Sequence, residues 1–256
     1  MPLSALILAL GSAVLHAAWN LLLGRAKDVQ AAAATTFVIS VAVALPFAVV
    51  WWHTEPSVWP WALASSLLEV VYVIGLALAY RISEVSFVYP ITRGLAPLLA
   101  LAFAVFALGH GVSATEVAGV VCVALGVVGV RGRPGHGDAL ALLLTVTIAA
   151  TIAAYTLVDR VGIQRAGALT YFVLTLALPC LVYPPLVGIR AMRRELGASV
   201  AIAGVANLGS FSLGLLALRH GSAASVLAGR VLAERVSQLR VAGSVLVCAG
   251  IVLLAT

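Results

Sequence analysis

The chain has 256 residues, of which 63% are hydrophobic and only 9% charged, with a formal net charge of +6. Soluble chains carry roughly 25% charged residues, so this composition leaves little room for a water-soluble fold. Its basic residues sit in short loops between apolar runs, which points to control of membrane topology rather than to nucleic-acid binding.

The apolar runs predict ten spans. They fall at about 3–23, 31–52, 61–80, 85–108, 115–130, 139–158, 168–189, 198–218, 222–232 and 241–255. Most are near 20 residues, enough to cross a hydrocarbon core of roughly 30 Å. In lipid each backbone polar group needs a partner within the protein, so these spans are expected to be helices. The runs show no sustained polar–apolar alternation, which argues against a barrel.

The first run lacks a charged leader and reads as an uncleaved span rather than a secretory signal. Trp51, Trp52, Trp59 and Trp61 flank a short polar turn between spans 2 and 3, as an interfacial aromatic belt does. The stretch 131–138, RGRPGHGD, is the most loop-like in the chain and the natural boundary between halves. Span 9 is anomalous. It has about 11 residues, which as a helix reach about 16 Å, near half a bilayer. Glycines recur at Gly119 and Gly126, at Gly209 and Gly214, and at Gly243 and Gly250, where they favour close helix packing. Cys122, Cys180 and Cys248 lie in apolar runs, far apart, and read as buried inert thiols. No metal site and no cofactor are expected.

The sequence also repeats itself. VSATEVAG at 112–119 returns as VSQLRVAG at 236–243, an offset of 124. GLALAYRISEVS at 75–86 returns as GLLALRHGSAAS at 214–225, an offset of 139. The offsets differ by 15, so about 15 residues of the first half are absent from the second, around 226–235. Internal repeats in an apolar chain are a mark of secondary transporters, whose substrate site lies between the halves. The halves expected are 1–130 and 138–256, joined by 131–137.

Ionisable residues inside spans are costly and are functional candidates by default. Arg93 lies within span 4, between Pro90 and Pro97, and cannot shed its charge, so it needs an anion or carbonyls nearby. It can bind a carboxylate or phosphate of a substrate, or form a structural ion pair with Glu69 of span 3. Glu69 is in turn either that partner or a proton site. His16 shares a helix face with Trp19 and Asn20 and reads as a proton carrier or a polar packing group. Tyr72, Tyr89, Tyr155 and Asn207 can line a cavity or serve as helix contacts. Asp159 follows span 6 directly and reads as a loop or cap residue. No HExxH, GxSxG, P-loop or GxGxxG pattern is present, so no enzyme is expected, and no stretch is polar enough for a nucleotide-binding domain.

Three segments, HAAWNLLLGRAKD, SEVSFVYPITRGLAPLLALAFAVFALG and YTLVDRVGIQ, resemble patterns of the EamA-type branch of the drug/metabolite transporter superfamily. The resemblance spans nearly the whole chain. It implies an all-α bundle of two inverted five-helix repeats, the second missing part of its fourth helix. It implies a central cavity including Trp19, Asn20, Tyr89, Arg93 and Tyr155, and export of a small metabolite, amino acid-like or drug-like solute. The Gly-Glu-Arg pattern common after the fourth helix of each repeat is replaced here by Gly109, His110 and Gly111, and then by Ala233, Glu234 and Arg235. The alternative is a degenerate paralogue that does not transport, or a membrane assembly partner, and the short span 9 is its support. The expected location is the inner membrane of a bacterium, in keeping with a basic complement of Arg save for Lys27. The expected partners are a small solute and the bilayer, with no nucleic acid and a homodimer left open. The count of basic residues by loop, eight against three, places the N-terminus outside the cytoplasm, whereas the resemblance implies both termini inside.

Overall fold

The structure is a computed structural model and describes residues 3–83, 85–106, 114, 117–118, 121–122, 139–223 and 226–227; within 85–106 some side chains, including those of Tyr89 and Arg93, are left out of the description. Eight helices are described: α1 (Leu3–Leu23), α2 (Val29–Val50), α3 (Trp59–Ile82), α4 (Val85–Phe106), α5 (Ala139–Gly162), α6 (Ala168–Val187), α7 (Ile189–Glu195) and α8 (Ala198–His220). Six of them, α1, α2, α3, α5, α6 and α8, are long and apolar enough to cross a membrane. The protein is therefore an all-helical, multi-pass membrane protein. Span 10, most of span 5, and span 9 beyond Leu227 lie outside the described residues.

Local chemistry sets the helix ends. Asp28 caps α2, its Oδ1 accepting the N–H groups of Gln30 at 3.1 Å and Ala31 at 3.0 Å. A 3-10 turn, Pro56–Val58, leads into α3, and Pro60 stands in its first turn, where no N–H is needed. Gly188 stops α6 at φ 95°, a left-handed value that a side chain disfavours. Within the spans, hydroxyls fold back onto their own helix: Thr35 onto the Ala31 carbonyl, Thr145 onto Ala141 and Thr156 onto Ile152. That removes bare donors from an apolar medium.

The segment after α6 departs from expectation. The loop predicted at 190–197 contains α7, a short helix carrying Arg190, Arg193 and Arg194. The predicted span 7 ran to 189, but Gly188 breaks it. Cys180 is half-buried rather than buried.

α1 packs along α8, α5 packs against both α3 and α4, and α2 packs against α6; α3 also touches α6, and α2 touches α8. Small residues permit these crossings. Ser12 on α1 and Ser210 on α8 each donate to the other's backbone carbonyl, at 2.6 and 2.8 Å. A Cβ on Gly209 would stand 2.8 Å from Leu15, and one on Gly204 2.5 Å from Ile39 of α2. Leu63, Leu143, Leu181 and Ile202 are 56–70% exposed. Such a surface fits lipid rather than water.

Chain direction sorts the loops into two ends. At the tryptophan end lie Trp51, Trp52 and Trp59, all exposed, with the 51–58 connection, the turn after α5 and the end of α8. There Glu55 N donates to the Arg165 carbonyl at 2.8 Å, Gly167 N to the His53 carbonyl at 2.9 Å, and Thr54 bridges Ala166. At the arginine end lie the 24–28 connection, the end of α3 and α7, with Arg25, Lys27, Arg81, Arg190, Arg193 and Arg194.

Candidate functional site

A cavity of about 830 Å³ opens between α1, α2 and α6 on one side and α3, α4 and α5 on the other. That volume suits a drug-sized solute, for which pockets run roughly 300–1,000 Å³. Its rim includes Gly24, Val29, Gln30 and Tyr80, so it reaches the arginine end. Its walls are mostly apolar and aromatic: Trp19, Phe37, Tyr72, Tyr80 and Tyr183.

Beneath it lies a second, smaller pocket of about 40 Å³, room for a few waters. Its lining includes His16, Glu69, Tyr155 and Asn207. Trp19, Phe37 and Tyr72 border both pockets and form the floor between them.

Each wall is built by aromatic contact. His16 meets Trp19 edge-on with ring centroids 5.1 Å apart, Trp19 lies 6.4 Å from Phe37, and Phe37 lies 6.2 Å from Tyr183. This row ties α1, α2 and α6 together. On the facing wall Tyr72 of α3 meets Tyr155 of α5 edge-on at 6.1 Å. The polar groups of α1 are set by the helix itself. Trp19 Nε1 donates to His16 Nδ1 at 3.2 Å, and Asn20 Nδ2 to the His16 carbonyl at 2.8 Å. A neutral His16 then carries its proton on Nε2. Asn207 Nδ2 donates to Ser40 Oγ at 3.0 Å, joining α8 to α2. Gln30 Nε2 reaches the Ala77 carbonyl at 3.2 Å across the mouth.

The geometry brings together seven of the nine residues singled out in the sequence. Trp19, Asn20 and Tyr72 line the large cavity; His16, Glu69, Tyr155 and Asn207 line the small one. His16 and Glu69 are both buried, at 8% and 3% exposure, and share one small polar pocket, an arrangement able to hold water or pass a proton. The Glu69–Arg93 pairing and the placement of the Tyr89 ring lie outside the described residues. Sequence reasoning missed Phe37, Gln30, Tyr80, Thr92 and Tyr183, all cavity-lining. The signal available was the aromatic or polar character of Phe37, Tyr80, Thr92 and Tyr183 within spans; Gln30 fell in the predicted loop before span 2, and only the start of α2 at Val29 brings it to the cavity.

Asp159 corrects the sequence reading. It is no loop residue. α5 runs to Gly162, and Asp159 is 2% exposed inside it. Its Oδ1 accepts Ser65 Oγ of α3 at 2.5 Å and Tyr171 OH of α6 at 3.1 Å. Gly162 makes room for that ring, since a Cβ there would overlap the Tyr171 hydroxyl.

Apolar helices of spanning length around an aromatic cavity, with buried titratable groups at its floor, define a polytopic membrane protein of the transporter type. The family model for the EamA-like transporter family matches residues 3–132, and the chain belongs to that family. One solved crystal structure covers 98% of this chain and 98% of its own, with a TM-score of 0.74 and 18% identity. That likeness bears on the fold alone. No curated protein matches the sequence.

Proposed function

We propose that the protein is a secondary transporter of a bacterial inner membrane that exports a small metabolite, amino acid-like or drug-like solute. The carrying observation is the large aromatic cavity, which reaches the arginine end and is floored by Trp19, Phe37 and Tyr72 above a pocket holding His16 and Glu69. A solute would enter from the arginine end and stack on the aromatic wall; Arg93 of α4 is the candidate to hold an anionic group on it. His16 and Glu69, below the floor, are the candidates for coupling to an ion or proton.

The helix pairings support two inverted halves, 1–130 and 138–256. Exchanging spans 1, 2 and 3 with spans 6, 7 and 8 turns the α1–α8 contact into the α5–α3 contact. It turns α3–α6 into α8–α2 and leaves α2–α6 unchanged. α1 runs toward the arginine end and α5 away from it, as inversion requires.

The test is export profiling of metabolites and drugs in cells with and without the protein, followed by Trp19→Ala. A solute exported only by expressing cells, and lost with Trp19→Ala, supports the reading. The second reading is a non-transporting paralogue, favoured by the 15-residue deficit in the second half. An unchanged export profile and unchanged solute tolerance in well-expressing cells would favour it.

A further inference from the structure

We propose that Asp159 is a proton-operated latch that holds the tryptophan end shut, a positioning residue of the transport cycle. The inference rests on the transporter reading for its purpose but on separate atoms for its argument. The cavity reaches the arginine end, where Gly24, Val29, Gln30 and Tyr80 line it. Alternating access therefore requires the opposite end to be closed here and to open later. The Asp159 node stands at that opposite end, one turn before the α5 terminus, and joins three helices through one carboxylate oxygen. Its partners are buried as well: Ser65 and Tyr171 are each 0% exposed.

The strength of the node depends on charge. Hydrogen bonds to an ionised carboxylate are roughly twice as strong as neutral ones. When water at the tryptophan end delivers a proton, an O–H bond forms on the carboxylate, its negative charge is neutralised and the hydronium becomes water. No covalent bond of the chain breaks. Both hydroxyl donors then face a neutral acid, and α3, α5 and α6 are held less firmly. Loss of the proton restores the tie.

Among the described residues, the charged groups near the node are these. Glu69, 3% exposed, lies one turn from Ser65 on α3, toward the cavity. Arg160 follows on α5. Arg165, in the turn beyond, donates to the Val161 carbonyl at 2.6 Å and lies 5.6 Å over the Trp61 ring of α3. Arg219 of α8 donates to the Ile163 and Ala166 carbonyls at 2.7 and 2.6 Å. His53 and Glu55, from the connection before α3, bind that same turn through their backbones, and His220 on α8 is exposed. The bonds of Arg165 and Arg219 hold the turn in place, while the node beneath it carries the titratable switch.

The test uses the full chain with its three cysteines replaced and Val58→Cys introduced. Val58 is fully buried at the tryptophan end, packed in the core that contains Tyr171. Its labelling rate by an impermeant maleimide is divided by that of Ser57→Cys, an exposed neighbour, at the same pH, which removes the reagent's own pH dependence. The relative rate is expected to rise about tenfold between about pH 8 and about pH 5 as the charge-assisted bonds are lost. Asp159→Asn is expected to be labelled fast at both pH values. Tyr171→Phe should raise the rate but keep its pH response, since Ser65 remains. A wild-type relative rate that does not change with pH overturns the proposal, as does an Asp159→Asn protein that stays protected and keeps the response. If Asp159→Asn fails to fold, the wild-type and Tyr171→Phe profiles decide the matter. No solute is used, so a protein that gates with pH but exports nothing loses the transport reading and keeps the latch.

Discussion

Several single residues matter here because of what they leave out. A side chain on Gly162 would occupy the place of the Tyr171 hydroxyl, and one on Gly204 would meet Ile39 at 2.5 Å. Gly162→Ala and Gly204→Ala are each expected to destabilise by about 1–3 kcal/mol through overpacking. Gly197→Ala, with nothing within 4 Å, should escape overpacking and cost at most about 1 kcal/mol as a poorer N-cap of α8. Thermal unfolding of the three variants in detergent checks this. Arg93 invites a different comparison. If it holds an anionic group, Arg93→Ala should reduce export more than Arg93→Lys, because lysine keeps a charge but loses the two-pronged geometry. Initial rates for the exported solute would show the order. Much at this scale was legible in the sequence, since an ionisable residue inside an apolar run declares itself; His16 and Glu69 did so. Asp159 did not, because Arg160 beside it makes the pair look like the start of a polar loop. Only the continuation of α5 to Gly162 shows the carboxylate to be inside.

The helices themselves were readable, but their partners were not. A span must be about 20 apolar residues long, and that requirement is written plainly in the chain. Which face meets a neighbour is not, because lipid and protein both accept apolar side chains and the usual amphipathic stripe is missing. The α1–α8 pairing rests instead on small details such as the mutual Ser12–Ser210 bonds. Interhelical hydrogen bonds in membranes average about 0.6 kcal/mol, so Ser12→Ala and Ser210→Ala should each cost about that much. Ser12→Leu should prevent the crossing altogether, seen as loss of monodisperse protein. Span 9 is the element still to be tested. A helical bond from Val226 N to the Ser222 carbonyl, 3.0 Å, marks its start. If the span is too short to cross, reporters fused to the two termini should lie on opposite sides of the membrane, for nine crossings; reporters on one side would mean ten.

For the whole molecule, the ends differ in charge. Among the described residues, six basic residues crowd the arginine end against three, Arg160, Arg165 and Arg219, at the other, where Arg165 and Arg219 are committed to backbone carbonyls. The positive-inside rule then predicts that the 24–28 connection and α7 face the cytoplasm. A reporter inserted at 24–28 should read cytoplasmic and one at 51–58 external. If the cavity admits solute at the arginine end alone, as the proposed cycle has it, a pharmacological corollary follows. A bulky, membrane-impermeant compound that wedges against the Trp19–Phe37–Tyr72 floor can reach it from one face only. In vesicles of random insertion it should therefore arrest only those molecules whose mouths face the bath. The residual flux would report the fraction inserted the other way round, and permeabilising the vesicles would bring inhibition of the remainder.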